Sequence, residues 1–205
     1  MNDFMEKLSN AEGRFEIYVA VYLKYKNQYV FSVKDSKDWT EEKGGRKSPI
    51  SAFGGKIESD NKIDRFLKDI CLKETGSNIE LESSSQTYID YHHRLKKIPL
   101  NFVKGELFPQ IITIMQKNKY SLNSNIVIFN YLGNTINEPK PLKSSALMLA
   151  KEPVLVQMFK KEKTVQELKN TGAVFLERIR IPENLYLFPT GSLNSLLRYL
   201  NYEVF

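Results

Sequence analysis

The segment 51–81, SAFGGKIESDNKIDRFLKDICLKETGSNIEL, constrains the fold more than any other stretch because its apolar period changes along it. Strand-like character at its start gives way to Ile63, Phe66, Leu67, Ile70 and Cys71 at spacings of three and four. That spacing places five apolar side chains on one stripe of a helix. Gly76 supplies the stop, since glycine accepts the left-handed conformation that often ends helices. The pattern predicts a helix from about 62 to 75 with one face docked.

The flanks read as sheet. Residues 14–25 (RFEIYVAVYLKY) and 28–34 (QYVFSVK) mix β-branched and aromatic residues around a Lys26–Asn27 turn, which predicts a β-hairpin. Residues 86–91, 110–117 and 125–132 are further expected strands, the last two joined by a polar loop, so the middle of the chain is expected to be largely antiparallel. Residues 35–49 are polar, contain Gly44, Gly45 and Pro49, and read as a loop carrying the only tryptophan, Trp39. Such an aromatic either stacks on a base or pins its loop to the body, and pinning is the preferred reading.

From about 144 to 205 the expectation is a mainly helical region. SSALMLAKEPVLVQMFKK is interrupted by Pro153 and reads as two short helices. Thr164 and Glu167 form a capping-box pair ahead of a helix that Gly172 closes. Residues 173–181 read as a strand, and Leu193, Leu196, Leu197 and Leu200, after Pro189-Thr190-Gly191-Ser192, read as a docked final helix.

At 205 residues, without repeats or a low-complexity linker, the chain is expected to form one domain over 1–205. A single cysteine excludes an intrachain disulfide and zinc sites built from several thiolates. The N-terminus is acidic where a signal peptide would be basic and then apolar, and no stretch approaches the ~20 apolar residues of a membrane span. A cytoplasmic protein without membrane attachment is therefore expected. Lys plus Arg exceed Asp plus Glu by 30 − 24 = 6, which favours anionic small molecules as partners. The cations form no block beyond pairs such as Lys96–Lys97, so a nucleic-acid groove is not expected.

Residues 53–76, FGGKIESDNKIDRFLKDICLKETG, resemble the Nudix box, the strand-loop-helix-loop signature of the Nudix hydrolase family. That box begins with a glycine and ends Arg-Glu-apolar-x-Glu-Glu-x-Gly. Gly55 and Gly76 have twenty residues between them, as in the family pattern. The resemblance implies a Nudix-like α/β/α sandwich with a mixed, largely antiparallel sheet. It also implies a nucleoside-diphosphate-linked ligand, with Mg²⁺ or Mn²⁺ held by carboxylates of one helix face. In the gapless register the loop glutamate falls on Asn61, the arginine on Asp69, and the helix glutamates on Ile70, Lys73 and Glu74. A one-residue shift would put Asp60 on the loop glutamate and Lys68–Asp69 on the Arg-Glu pair, with a compensating helix bulge.

The candidate site follows from that register. Glu74 and Asp69 are the catalytic candidates, and Glu74, Glu58 and Asp60 are the metal candidates. Gly54, Gly55, Lys56 and Lys73 are ligand-binding candidates, with Arg46 flanking the box and Trp39 beside it for a base or sugar. Residues 54–76 carry five cations and five carboxylates, a net of 5 − 5 = 0, whereas a metal cage should be acidic. Lys73 would repel a divalent cation, yet its ammonium could contact a phosphate directly. Simpler readings stand beside these: Gly54–Gly55 as a turn, Glu58 as a loop-orienting carboxylate, Asp60 and Asp69 as solvated. His92 and His93 read as surface or packed histidines, with a general base as the alternative for one of them, and Cys71 reads as core.

The expectation is a divergent Nudix-fold protein that recognises a nucleotide or nucleoside-diphosphate-linked ligand with hydrolysis weakened or lost. The alternatives are an active Mg²⁺-dependent hydrolase with a rearranged metal site, and a protein- or RNA-interaction module. A protein partner or homo-oligomer is compatible with each.

Overall fold

The computed structural model describes residues 15–42, 44–58, 62–99, 105–116 and 125–203. Its strands are β1 (Phe15–Tyr25), β2 (Gln28–Val33), β3 (Thr40–Glu42), β4 (Gly45–Ser51), β5 (Phe53–Lys56), β6 (Ile79–Glu82) and β7 (Thr87–Tyr91). They continue with β8 (Arg94–Ile98), β9 (Ile111–Met115), β10 (Asn125–Thr135), β11 (Ala146–Ala150), β12 (Lys163–Thr164), β13 (Val174–Glu177) and β14 (Tyr186–Pro189). The helices are α1 (Ile63–Thr75), α2 (Glu152–Lys160), α3 (Val165–Asn170) and α4 (Ser192–Glu203).

β1 is the spine. It runs parallel to β10 from Phe15 to Lys24, while its other edge holds β5 at Tyr18–Val21 and β2 at Leu23–Tyr25. The turn to β2 places Lys26 and Asn27 at φ of +48° and +62°, as a tight two-residue hairpin requires. The longest strand path is β12-β14-β4-β2-β1-β10-β9-β7-β8, with β11 and β13 continuing from β2. β1–β10, β7–β9 and β14–β4 are parallel and the other pairs antiparallel, so the sheet is mixed.

Strand alternation divides the core between the two sheet faces. Val19, Val21 and Leu23 of β1 join Val127, Phe129 and Tyr131 of β10 under Leu67 and Cys71 of α1. Tyr22, Phe31, Val33 and Met148 point the other way, against Leu155 of α2, Leu168 of α3 and Leu193, Leu196, Leu197 and Leu200 of α4. Helices therefore cover both faces, the α/β/α layering expected. Among the described residues no helix is long and apolar enough to cross a membrane.

Three sequence expectations change. β3 (Thr40–Glu42) and β4 (Gly45–Ser51) pair as a ribbon in and just beyond the 35–49 stretch read as loop; β3 is exposed along its length and is held across strands by Arg46–Glu41 and Lys47–Glu42 ion pairs, so no apolar alternation marked it. The 144–205 region is also less helical than expected, because β11, ALMLA, is buried on both faces. A fully buried strand carries no period that separates it from a helix. Pro153 starts α2 rather than dividing a helix, since the first turn does not need its missing N–H.

Candidate functional site

α1 is positioned by the stripe that the sequence displays. Leu67 and Cys71 are fully buried, with Ile63, Phe66 and Ile70 packed beside them. The helix ends at Gly76, whose φ is +65° and whose N–H donates to the Leu72 carbonyl at 2.9 Å. The Cys71 thiol is pushed up to about 12 by burial, with the Glu74 charge adding to the shift. It stays protonated and belongs to the core rather than to chemistry.

The two glycines of β5 serve different ends. A β-carbon on Gly54 would lie 2.2 Å from the Val19 carbonyl oxygen and 2.6 Å from Ala20 Cα, so β5 approaches β1 only because that position has no side chain. Gly55 faces α1 instead, where a β-carbon would meet the Phe66 ring at 3.5 Å and Ile70 Cδ1 at 3.6 Å. Ile70 thus lays hydrocarbon over the strand at a position that the gapless register assigns to a carboxylate.

The remaining residues of the α1 register do not build a cage. Glu74 is half-buried, Lys73 and Asp69 are exposed, and Glu58 is exposed at the end of the segment that follows β5. Asp60, like Asn61, lies outside the described residues. Among the described residues no three His, Cys, Asp or Glu side chains gather to hold a metal ion. Mg²⁺ and Mn²⁺ prefer several oxygen ligands, and the described carboxylates do not fit that need. Lys68 pairs with Asp64 at 3.7 Å, whereas Lys73 forms no ion pair with a described carboxylate.

Lys56, Arg46 and Trp39 lie elsewhere. Lys56 pairs across the strands with Tyr18, one residue on from Gly55, and so points away from α1; its Nζ lies 3.2 Å from Glu16. Glu16 also accepts a hydrogen bond from Tyr18, whose hydroxyl pKa is raised by burial and by that carboxylate. Trp39 Nε1 donates to the Lys34 carbonyl at 3.0 Å and its ring packs on the core beneath α2, α3 and α4. The Arg46 guanidinium lies 5.8 Å from the indole centroid and bonds Glu41 at 2.7 Å. Trp39 and Arg46 come together, but Trp39 joins the layer opposite α1.

Sequence reasoning missed a buried polar chain on the α4 side. Asn130 donates to Thr113 at 3.0 Å, Thr113 to Ser195 at 2.8 Å, and Ser195 to Asp90, which also accepts from Arg198 Nε at 2.9 Å. Ser195 is fully buried, so these groups clamp α4 to β7, β9 and β10 rather than meeting a substrate. The polar residues between apolar strand positions, Asp90 and Asn130, were the available signal. His92 and His93 adopt φ of +49° and +61°, forming the exposed β7–β8 hairpin turn. A depression of about 380 Å³ between Lys169, Glu177, Arg180 and Glu183 includes no residue of 53–76, and its Lys169 already faces Glu177 and Glu183 at 3.6 and 3.8 Å.

No protein-family model matches the chain, and no curated protein sequence matches it. Among solved structures it is similar to a NUDIX-family hydrolase from Clostridium perfringens, at 13% identity over 93% of this chain and 98% of that one, with a TM-score of 0.48. It is similar to a MutT protein from Methanosarcina mazei Go1, at 10% identity over 95% and 99% of the two chains, with a TM-score of 0.48. It is also similar to a UDP-X diphosphatase, at 8% identity over 100% of this chain and 72% of that one, with a TM-score of 0.45.

Proposed function

We propose that this chain is a Nudix-type protein that binds a nucleotide or nucleoside-diphosphate-linked ligand and has lost most of its capacity for hydrolysis. The observation that carries the reading is the Ile70 side chain over Gly55, with Lys73 one turn further along the same helix. Cleaving a phosphoanhydride requires its negative charge to be neutralised and a water to be deprotonated. A helix face presenting an isoleucine, a lysine and the single carboxylate of Glu74 is poorly equipped for either task through a divalent cation.

The same face suits retention of an anion. Lys73 carries an ammonium without a described carboxylate partner, and a charge-assisted bond to phosphate oxygen is stronger than a neutral one. The net charge of +6 draws anionic ligands toward the molecule. Lys73 would hold the diphosphate, while Gly55 leaves the strand position that faces the helix without a side chain.

Thermal unfolding against nucleotides, ADP-ribose, NAD, nucleoside-diphosphate sugars and dinucleoside polyphosphates, each with and without Mg²⁺ or Mn²⁺, tests the reading. A ligand at a hundred times its Kd should stabilise the fold by about 2.7 kcal/mol. The expected result is stabilisation that needs no metal and is lost in Lys73→Glu. Metal-dependent phosphate release abolished by Glu74→Gln would establish the active hydrolase instead, and no stabilisation by any ligand would remove the small-molecule reading.

A further inference from the structure

The sequence from Tyr91 to Gly105 contains Arg94, Lys96, Lys97 and Lys104 and no acidic residue. Three of those cations lie on β8, which pairs only with β7 among the described residues and therefore forms an open edge of the sheet. Arg94, Lys96 and Lys97 are exposed, and none forms an ion pair with a described carboxylate. The carboxylate of the same hairpin, Asp90, is only 2% exposed and is held by Arg198, so it does not offset the edge. The hairpin turn sets Tyr88, Ile89 and Tyr91 of β7 opposite the three cations of β8.

The strip has aromatic rings on both sides. Cross-strand pairing sets Arg94 opposite Tyr91 and Lys96 opposite Ile89 on the α1 face, and Lys97 opposite Tyr88 on the α4 face. Tyr91 is 38% exposed, with the His92 ring 4.1 Å from its own. On the other face the Tyr88 ring meets Tyr199 at 5.2 Å and Tyr202 at 6.4 Å, and Tyr202 is 58% exposed. Lysines on an edge strand also discourage strand pairing between molecules. That role does not call for large exposed rings beside them, whereas stacking of bases beside a tracked backbone does.

We propose that the β7–β8 edge binds single-stranded nucleic acid that wraps the open edge, with Arg94 and Lys96 on successive phosphates beside Tyr91 on one face, and Lys97 on a phosphate beside Tyr202 on the other, the two rings serving as stacking platforms. Arg94 and Lys96 are two residues apart on one strand face, a separation of about 7 Å that suits an extended phosphate chain. A single strand is the fitting partner because its unpaired bases are free to reach the rings. The site lies on the hairpin edge and does not depend on the ligand reading for α1.

Fluorescence anisotropy of a labelled 12-nucleotide oligouridine, titrated with the full chain at several salt concentrations, tests the proposal. Binding should weaken with salt, and Arg94→Gln/Lys96→Gln/Lys97→Gln should lower affinity at least tenfold at low salt. Each phosphate contact on a single strand contributes about 0.7 to the slope of log K against log salt, so the triple variant should flatten it by about 2. Tyr202→Ala should weaken binding about tenfold without changing the slope, since stacking releases no counterions. The substitutions are on exposed side chains, and unchanged thermal unfolding of each variant keeps a loss attributable to the strip. Absence of binding at low salt, a triple variant that binds like the parent, or equal competition by duplex RNA or polyglutamate would overturn the proposal.

Discussion

Ile70 Cδ1 lies 3.6 Å from the point that a β-carbon on Gly55 would occupy, so α1 closes over β5 through hydrocarbon. Placing carboxylates on this face should create metal affinity. Ile70→Glu with Lys73→Glu would make three carboxylates with Glu74, position 70 lying three and four residues from the other two and so beside both on the helix surface. Calorimetry should detect Mn²⁺ binding by the double variant at least tenfold tighter than by the parent chain. The loss of Ile70 packing should cost about 1–2 kcal/mol. An unchanged affinity would mean that the face is not directed toward a common ligand position.

Gly54 and Gly55 separate into two behaviours. Gly54→Ala forces a carbon against the Val19 carbonyl and the Ala20 backbone, contacts that a rotamer change cannot relieve, and should destabilise by about 3 kcal/mol in urea. Gly55→Ala meets only side-chain atoms at 3.5 Å and beyond and should change stability by less than about 1 kcal/mol. Should Gly55→Ala abolish ligand-induced stabilisation while folding normally, the close approach of a phosphate to that backbone would be its reason for lacking a side chain.

The parts of this fold visible in sequence are those with a distinct period or turn chemistry. α1 declared itself through its stripe and Gly76, α3 through the Thr164–Glu167 capping box, in which Glu167 N donates to Thr164 Oγ1 at 3.1 Å and Thr164 N to Glu167 at 2.8 Å. β11 was hidden because burial of both faces erases alternation, and β3 because its exposed residues need no apolar alternation. For the site, spacing alone identified the helix face, whereas the placement of Lys56 opposite Tyr18 and away from α1 depends on strand parity, which a one-residue change in where β5 begins would reverse. The polar clamp beneath α4 joins residues 105 and 108 positions apart, beyond the reach of local pattern.

Arg198 and Asp90 form the charged centre of that clamp, with side-chain exposures of 17% and 2%. Arg198→Met would leave a carboxylate in the interior without its cation, a loss that costs about 3–5 kcal/mol for buried pairs. Chemical denaturation should show that drop, and Arg198→Met combined with Asp90→Asn should recover part of it by removing the stranded charge. Equal stability of the single and double variants would indicate that Ser195 and solvent satisfy Asp90 without the arginine.

Cys71 makes stability sensitive to alkali. An ordinary thiol, as in the unfolded chain, ionises near pH 8.5, whereas burial in the folded chain pushes this one up to about 12. Between those values the unfolded state releases a proton that the folded state keeps, so the contribution is complete below about pH 8.5 and is lost as pH rises toward 12. The loss approaches about 1.4 kcal/mol for each pH unit within the window. Tyr22, Tyr29 and Tyr131, also raised by burial, steepen the fall once ordinary phenols ionise near pH 10. Denaturation measured at pH 8, 9 and 10 should therefore show a smaller slope in Cys71→Ala than in the parent chain, even though the substitution lowers stability at every pH by leaving a cavity. The native thiol should also resist alkylation at pH 8 and react when the chain unfolds. Rapid native labelling, or identical slopes for the two proteins, would place Cys71 in contact with solvent and remove it from the core under α1.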